Sequence, residues 1–415
     1  MNPENTRRRQ PKSLIGSASE LGRRHRPDYI LMLCMVMLLA IGLVVIYSVS
    51  PAISAQLVGD VDPNHFMYKQ IIFLIIGLSA FAFGSLMPLS IWSKLQKPII
   101  IFAIISFFFL LVGALSITYG GATRWVRLGP VSYQPAELLK FGLIFAMASF
   151  FTKRIKEGTL DTAATTKAFL LIMIGVGIEI VILQKDLGTM LPIAAILMTM
   201  LYLSGISLKR LSVIVAIIVV GGVITVAGAG HRRERVFTFL NPEADSKGSG
   251  YHINQALIAV GSGGFFGKGL GRSVQAYGYL PEAANDSIFA IMGEKFGFLG
   301  ILVVFMIYGV MLFRILNIVS RSPNIYLKFV SGGIFAWMCI QAFVNIGAML
   351  SIMPLTGVTL PLLSFGGTSL ILTLSALGIV FHISRYTKLG HKTEGVSLNE
   401  DSTSRRRLGR ARYAA

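Results

Sequence analysis

The chain has 415 residues, 54% of them hydrophobic and only 14% charged, where soluble domains carry roughly 25% charged residues. With a mean hydropathy of +0.69, that balance excludes an ordinary soluble globular protein and makes lipid the main solvent. Much of the net charge of +19 sits in two tails, Arg7 to Arg26 and Arg385 to Arg412; beside membrane helices such tails mark the cytoplasmic side and meet anionic lipid, not nucleic acid.

Stretches of about 20 apolar residues cross the ~30 Å hydrocarbon core as helices. They predict spans near 28–50, 66–87, 98–118, 135–152, 167–184, 187–204, 209–229, 287–313, 327–350 and 358–384. The first is too long for a signal-peptide core and has no clear cleavage site, so it stays in place. The expected fold is an all-α polytopic membrane protein with ten transmembrane helices and both termini cytoplasmic. A basic tail, 1–27, precedes a membrane domain, 28–386, and a second basic tail, 387–415, follows it.

Orientation supports this order. Inner loops hold Lys94 and Lys97, then Lys153, Arg154 and Lys156, then Lys209 and Arg210, then Arg314 and Arg321, as the excess of basic residues on the inner side requires. The first outer loop, 51–65, carries Asp60 and Asp62 with no Lys or Arg. The large outer loop, 230–286, breaks the pattern with Arg232, Arg233, Arg235, Lys247, Lys268 and Arg272. Long loops translocate whatever their charge, so the topology survives and the loop invites a functional explanation. Cys34 and Cys339 fall in apolar runs and read as small core side chains. The six histidines show no metal-ligand spacing.

Four places concentrate chemistry. Pro281 suits the first turn of a helix, and carboxylates there are favoured by the helix dipole. Glu282 and Asp286 are therefore expected on one face at the outer mouth of span eight. By position alone they are two helix-start carboxylates; a partly desolvated one beside a basic loop also suits a general base for a sugar hydroxyl. Glu137 and Lys140, three apart at the start of span four, form either a structural ion pair or, with Arg124, a site for an anionic group. Asp186 in the tight hairpin 184–188 is a helix N-cap or a site residue. Glu294, inside span eight, needs a partner that the sequence does not name.

Two glycine-rich runs are weaker signals. The run 261–271 fails as a phosphate loop, because Ser262 stands where a glycine is required and Gly269 where Ser or Thr is. Its Lys268 could still approach a lipid pyrophosphate. The segments 354–361 and 364–369 read mainly as close-packing small residues, with Asn345 in span nine available to bond across helices.

In order along the chain stand GATRW and QPAELLK (121–140), QKDLGT (184–189), the arginine-rich loop start, GKGLG (267–271), LPEAANDSIFA (280–290) and TGVTLPLLSFGGTS (356–369). Together they resemble the SEDS family (shape, elongation, division and sporulation), from the first span to the last, with only the tails uncovered. The resemblance implies a ten-helix fold and peptidoglycan glycosyltransferase activity that polymerises lipid II on the outer face of the bacterial cytoplasmic membrane. It further implies a class B penicillin-binding protein (a transpeptidase) as partner, alongside other divisome proteins. Pro281-Glu282-Ala283 and the long basic tails favour the division branch, at the septum, over the elongation branch.

The family's catalytic aspartate maps onto Asp286, and the Glu137–Lys140 pair also matches. Lys185 stands where proline is usual, Asn285 where threonine is common, Ser287 where phenylalanine is common, and Lys295 where a second acidic residue is usual. Glu282 lies beside the catalytic position, and Arg124, Lys140, Arg235 and Lys268 are the candidates to face the substrate's phosphates. No cofactor is required, no protein metal site is indicated, and a divalent cation is an optional assistant. The competing expectations are an elongation polymerase of the same family, a lipid II transporter or flippase, and a non-enzymatic scaffold for the partner synthase.

Overall fold

The structure, a computed structural model, describes residues 25–387 apart from 57–61, 111, 114, 120–121, 130, 243–244 and 246–247. Most of both basic tails, and Asp60 and Lys247, lie outside the described residues. Helices α1 (Tyr29–Ser54), α2 (His65–Leu86) and α3 (Leu89–Leu110) come first. A small antiparallel sheet follows, in the order β1 (Ser116–Tyr119), β2 (Ala122–Leu128), β3 (Val131–Tyr133). Then come α4 (Pro135–Lys156) and α5 (Ala163–Gly177), which continues as a π-helical segment, Ile178–Leu183. After these stand α6 (Leu187–Leu203), α7 (Leu208–Ala227), α8 (Gly230–Leu240), α9 (Ser249–Ser262), α10 (Ile288–Arg321), α11 (Ile325–Met349) and α12 (Gly367–Ser384).

Among the described residues, nine helices of 18 residues or more are long and apolar enough to cross a membrane, with α5 and its π segment counted as one. The shorter apolar α6 is the tenth. An apolar helix therefore stands near each of the ten expected spans, with three corrections. The third expected span, 98–118, is displaced: α3 begins at Leu89, and residues 116–118 belong to β1. Its hydrophobic run continues into the sheet, so hydropathy alone did not mark the change. The loop 230–286 is not loop throughout, since it contains α8 and α9. The last span begins at Gly367 rather than 358, because 354–366 folds as irregular backbone over the bundle end.

Helices α4, α11 and α12 are largely buried, whereas α2, α3 and α7 expose long apolar faces such as Ile72, Ile75, Phe102, Val219 and Val223. In a membrane those faces meet acyl chains, so exposure carries no hydrophobic cost there. Packing is close where α12 crosses α2: a Cβ on Gly378 would lie 2.3 Å from the Phe81 carbonyl oxygen, so only a bare Cα fits. Cys34 is buried and both cysteines are free.

Helix α10 is broken at Gly297 (φ 66°, ψ −167°). The glycine-rich run enters this break. Lys268 N–H donates to the Glu294 carbonyl (2.9 Å) and Gly269 N–H to that of Lys295 (3.0 Å), while Phe298 N–H donates to Gly264 (2.9 Å). The glycines thus satisfy backbone groups that a broken helix exposes.

Candidate functional site

Three irregular segments and the sheet converge at one end of the bundle: the turn 184–188, the turn 281–287 and the segment 354–366. Arg124, on β2, reaches Asp186 with Nε 3.1 Å from Oδ2. Asp186 also caps α6, accepting from Thr189 N–H at 3.1 Å and from the Thr189 hydroxyl at 2.6 Å. The cap reading of Asp186 is realised, and the same carboxylate also meets Arg124.

Asp286 does not sit in the first turn of a helix. Pro281 to Asp286 form a turn that precedes α10, whose N-cap is Ser287. Glu282 has φ 52°, a left-handed conformation that no residue of an α-helix adopts. Glu282 and Asp286 therefore do not share a helical face, and the expected helix-start geometry is corrected here. The turn closes on itself through Asn285 N–H and Ser287 N–H, both donated to the Glu282 carbonyl (2.9 and 3.2 Å), and through Asn285 Nδ2 donating to Glu282 Oε2.

Asp286 is 8% exposed, and its Oδ1 is buried with no hydrogen-bond partner. Burial, and next the nearby Glu282 charge, push its carboxyl up to about 7, against the opposing pull of its backbone contact, Arg124 and Ser287. Gly357 (φ 69°) marks how close the cation comes: a Cβ there would lie 3.1 Å from Arg124 Nη1 and 3.8 Å from Asp286 Oδ2. Half-buried Arg235, on α8, feels Arg124, Asp186 and Asp286 together. Burial and then the like charge of Arg124 draw it below the ordinary arginine value; it stays charged at any working pH. An unpartnered carboxylate oxygen thus lies in the field of two guanidinium groups, and such a site can take a proton and hold an anionic group together.

Deeper in the bundle, Lys140 Nζ lies 2.7 Å from Glu137 Oε1, as the spacing of three predicted. It also donates to Gln341 Oε1 at 3.1 Å and stands 5.1 Å over the Trp337 ring. Trp337 Nε1–H donates to the same Gln341 oxygen (2.6 Å), and Gln341 Nε2 donates to the Thr359 carbonyl (3.0 Å). Lys140, 1% exposed in its side chain, bears on the site through this chain of bonds to the segment 354–366. Asn345 bonds across as expected, donating to the carbonyls of Asp286 (2.7 Å) and Val358 (2.8 Å).

Lys268 is engaged elsewhere. Its Nζ lies 3.1 Å from Glu294 Oε1, and Glu294 also accepts from the Ser273 hydroxyl (2.5 Å) and Val274 N–H (2.9 Å). Glu294 has thereby found the partners it needed, and Lys268 serves the fold of the large loop. Lys295 donates to the Leu270 carbonyl at 2.9 Å. Lys185 has φ 58°, which a proline ring cannot adopt, so its departure from the usual proline has a backbone consequence.

The residues that sequence reasoning missed are Gln341, Trp337, Thr359 and His252. A glutamine inside an apolar span was the available signal for the first, since intramembrane polar groups cluster at functional places. Among the described residues no group of three His, Cys, Asp or Glu side chains is placed to hold a metal ion.

Comparison with known proteins follows the same lines. A family model for cell cycle proteins, FTSW_RODA_SPOVE, matches residues 29–389. Stage V sporulation protein E of Bacillus subtilis is 34% identical over 88% of this chain and 99% of its own length. The probable peptidoglycan glycosyltransferase FtsW of Haemophilus influenzae is 35% identical over 85% of this chain and 89% of its own. Among solved structures, a chain of a peptidoglycan synthase complex that coordinates polymerization and crosslinking superposes with a TM-score of 0.69 at 24% identity. That match covers 86% of this chain and 98% of the other.

Proposed function

The chain belongs to the FtsW, RodA and SpoVE family of cell cycle proteins, and from that premise we propose that it polymerises lipid II for septal wall synthesis, with Asp286 as general base. It is a multi-pass membrane protein and a peptidoglycan glycosyltransferase, in line with relatives that carry that name. The observation that supports Asp286 most is its buried carboxylate with one unpartnered oxygen beside Arg124 and Arg235.

In the proposed transfer, the acceptor GlcNAc 4-hydroxyl oxygen attacks C1 of the donor MurNAc. Its proton passes to Asp286 Oδ1, the C1–O bond to the donor's pyrophosphate breaks, and undecaprenyl pyrophosphate leaves with the electron pair. Arg124 and Arg235 are preorganised to stabilise that leaving charge without rearranging. A divalent cation would help neutralise the leaving charge, and among the described residues no group of three His, Cys, Asp or Glu side chains is placed to hold one.

The division branch is favoured by the FtsW relatives and by Pro281-Glu282-Ala283. The fold shared with a chain of a polymerising and crosslinking synthase complex supports a partner transpeptidase, a class B penicillin-binding protein among the divisome proteins. The test is polymer formation from fluorescent lipid II by the purified chain with its partner. Asp286→Asn is expected to fold and to make no glycan; normal polymer from the folded variant would remove Asp286 from the base role. Septal rather than side-wall fluorescence of a tagged chain checks the division assignment.

A further inference from the structure

His252 lies on α9, in the large loop, 35 residues before Ser287. Its Nε2 is 2.6 Å from the Ser287 hydroxyl oxygen. The same hydroxyl donates to the Pro281 carbonyl at 2.7 Å. A serine hydroxyl has one proton. A carbonyl oxygen can only accept, so Ser287 gives that proton to Pro281 and must receive one from His252. The ring therefore carries its proton on Nε2. Burial draws His252 below the ordinary histidine value, with Glu282 opposing, so the neutral Nε2–H form is the working one near pH 7.

Pro281 and Ser287 are the two ends of the turn that carries Asp286. Three separate elements fasten that turn. His252 of α9 holds Ser287; Asn345 of α11 holds the Asp286 carbonyl at 2.7 Å; and Phe365 N–H, just before α12, donates to the Ala284 carbonyl at 2.8 Å. The turn needs such fastening, because Glu282 keeps a left-handed backbone that non-glycine residues adopt at a cost. Of the three ties, only the His252–Ser287 contact joins two side chains, and it sits next to the carboxylate in sequence. Ser287 is fully inaccessible and His252 is half-buried.

We propose that His252 is a positioning residue for glycosyl transfer, holding Ser287 and hence the Asp286 carboxylate in its dry pocket through its Nε2–H. This rests on the reading of Asp286 as general base. Loosening the turn admits water to the carboxylate, which removes much of the burial that keeps it protonated near neutrality. The other charged groups that bear on Asp286 are Glu282 of the same turn, Arg124 of β2 and Arg235 of α8, and they stay in place when His252 is changed.

The experiment measures kcat and its pH midpoint on fluorescent lipid II, with the partner present, for the parent, His252→Gln, His252→Ala, Ser287→Ala, His252→Ala/Ser287→Ala and Asp286→Asn. His252→Ala and Ser287→Ala should each lower kcat by about tenfold, the scale of one misplaced catalytic group, and move the midpoint to lower pH. The double variant should be no worse than either single one, because both break the same tie. Glutamine, which offers an N–H at a comparable reach, should restore most of the rate and the parental midpoint. A lower rate with an unmoved midpoint, or additive losses in the double variant, overturns the proposal. Should His252→Ala fail to fold, Ser287→Ala gives the same readout. Polymer from Asp286→Asn would instead overturn the base assignment itself.

Discussion

Asp286 holds a charge that the fold resists and the reaction needs, and the two can be measured apart. Its carboxyl is raised from 3.8 to about 7. At about 1.36 kcal/mol per pH unit, carrying the ionised form in the folded chain costs on the order of 4 kcal/mol. The folded chain binds this proton more tightly than the unfolded chain, so the cost is absent below the unfolded value, grows from about pH 4 and is complete above about 7. The base must be ionised, so kcat should rise with pH. The ionised fraction is about one tenth at pH 6 and about nine tenths at pH 8, giving roughly a tenfold difference in rate. Asp286→Asn abolishes the rate but removes the cost of ionisation. If the new amide finds no partner it adds a penalty of about 1–3 kcal/mol, leaving a net gain of about 1–3 kcal/mol at pH 8 that fades towards pH 5. Glycan formation over pH 5.5–8.5 and thermal melting in detergent at pH 5 and 8 read both effects. A rate that is flat or falls between pH 6 and 8, together with an Asp286→Asn variant that melts lower at pH 8, would refute the reasoning.

Glu282→Gln removes the like charge that ranks second in raising Asp286, so the pH midpoint of kcat should fall, and an unchanged midpoint would show that burial acts alone. Gly357→Ala places a methyl 3.1 Å from Arg124 Nη1 at φ 69°; we expect about 1 kcal/mol of lost stability from the backbone alone and a clear drop in kcat, checked by melting and by polymerisation. Lys140→Ala leaves Glu137 buried without its cation, which should cost about 3–5 kcal/mol; adding Glu137→Gln should recover much of that in a chemical or thermal melt. Lys185→Gly should stabilise the chain by up to about 1 kcal/mol by relieving φ 58°, whereas Lys185→Pro should destabilise it; equal melting temperatures would refute the strained turn.

How much the sequence disclosed varies by element. Eight of the ten apolar helices fall close to their predicted places, because a lipid-crossing helix is a local property of about 20 residues. The two exceptions, α3 and α12, show the limit: an apolar run does not say where helix gives way to the strand pairing of β1 with β2, or to the irregular backbone of 354–366, which depend on residues elsewhere in the chain. The Glu137–Lys140 pair was legible because three residues along a helix always share a face. The placing of Glu282 and Asp286 failed for the same reason in reverse, since the helix whose face they were to share begins only at Ile288. Proline followed by carboxylates signals a helix start, and the turn imposed by α9, α11 and the segment before α12 overrides that local preference.

By itself, then, the sequence determined the polytopic helical class, the basic character of the segment 230–286 and the order of motifs that marks the family, all of which depend on composition and spacing along the chain. Only tertiary structure decided which charges meet. It turned Arg124 towards Asp186 and Asp286, gave Lys268 to Glu294, and joined Lys140 to Gln341, 201 residues away. The physical reason is that burial and charge pairing act through space: the proton affinity of Asp286 depends on neighbours that folding brings together, Glu282 from its own turn, Arg124 from β2 and Arg235 from α8.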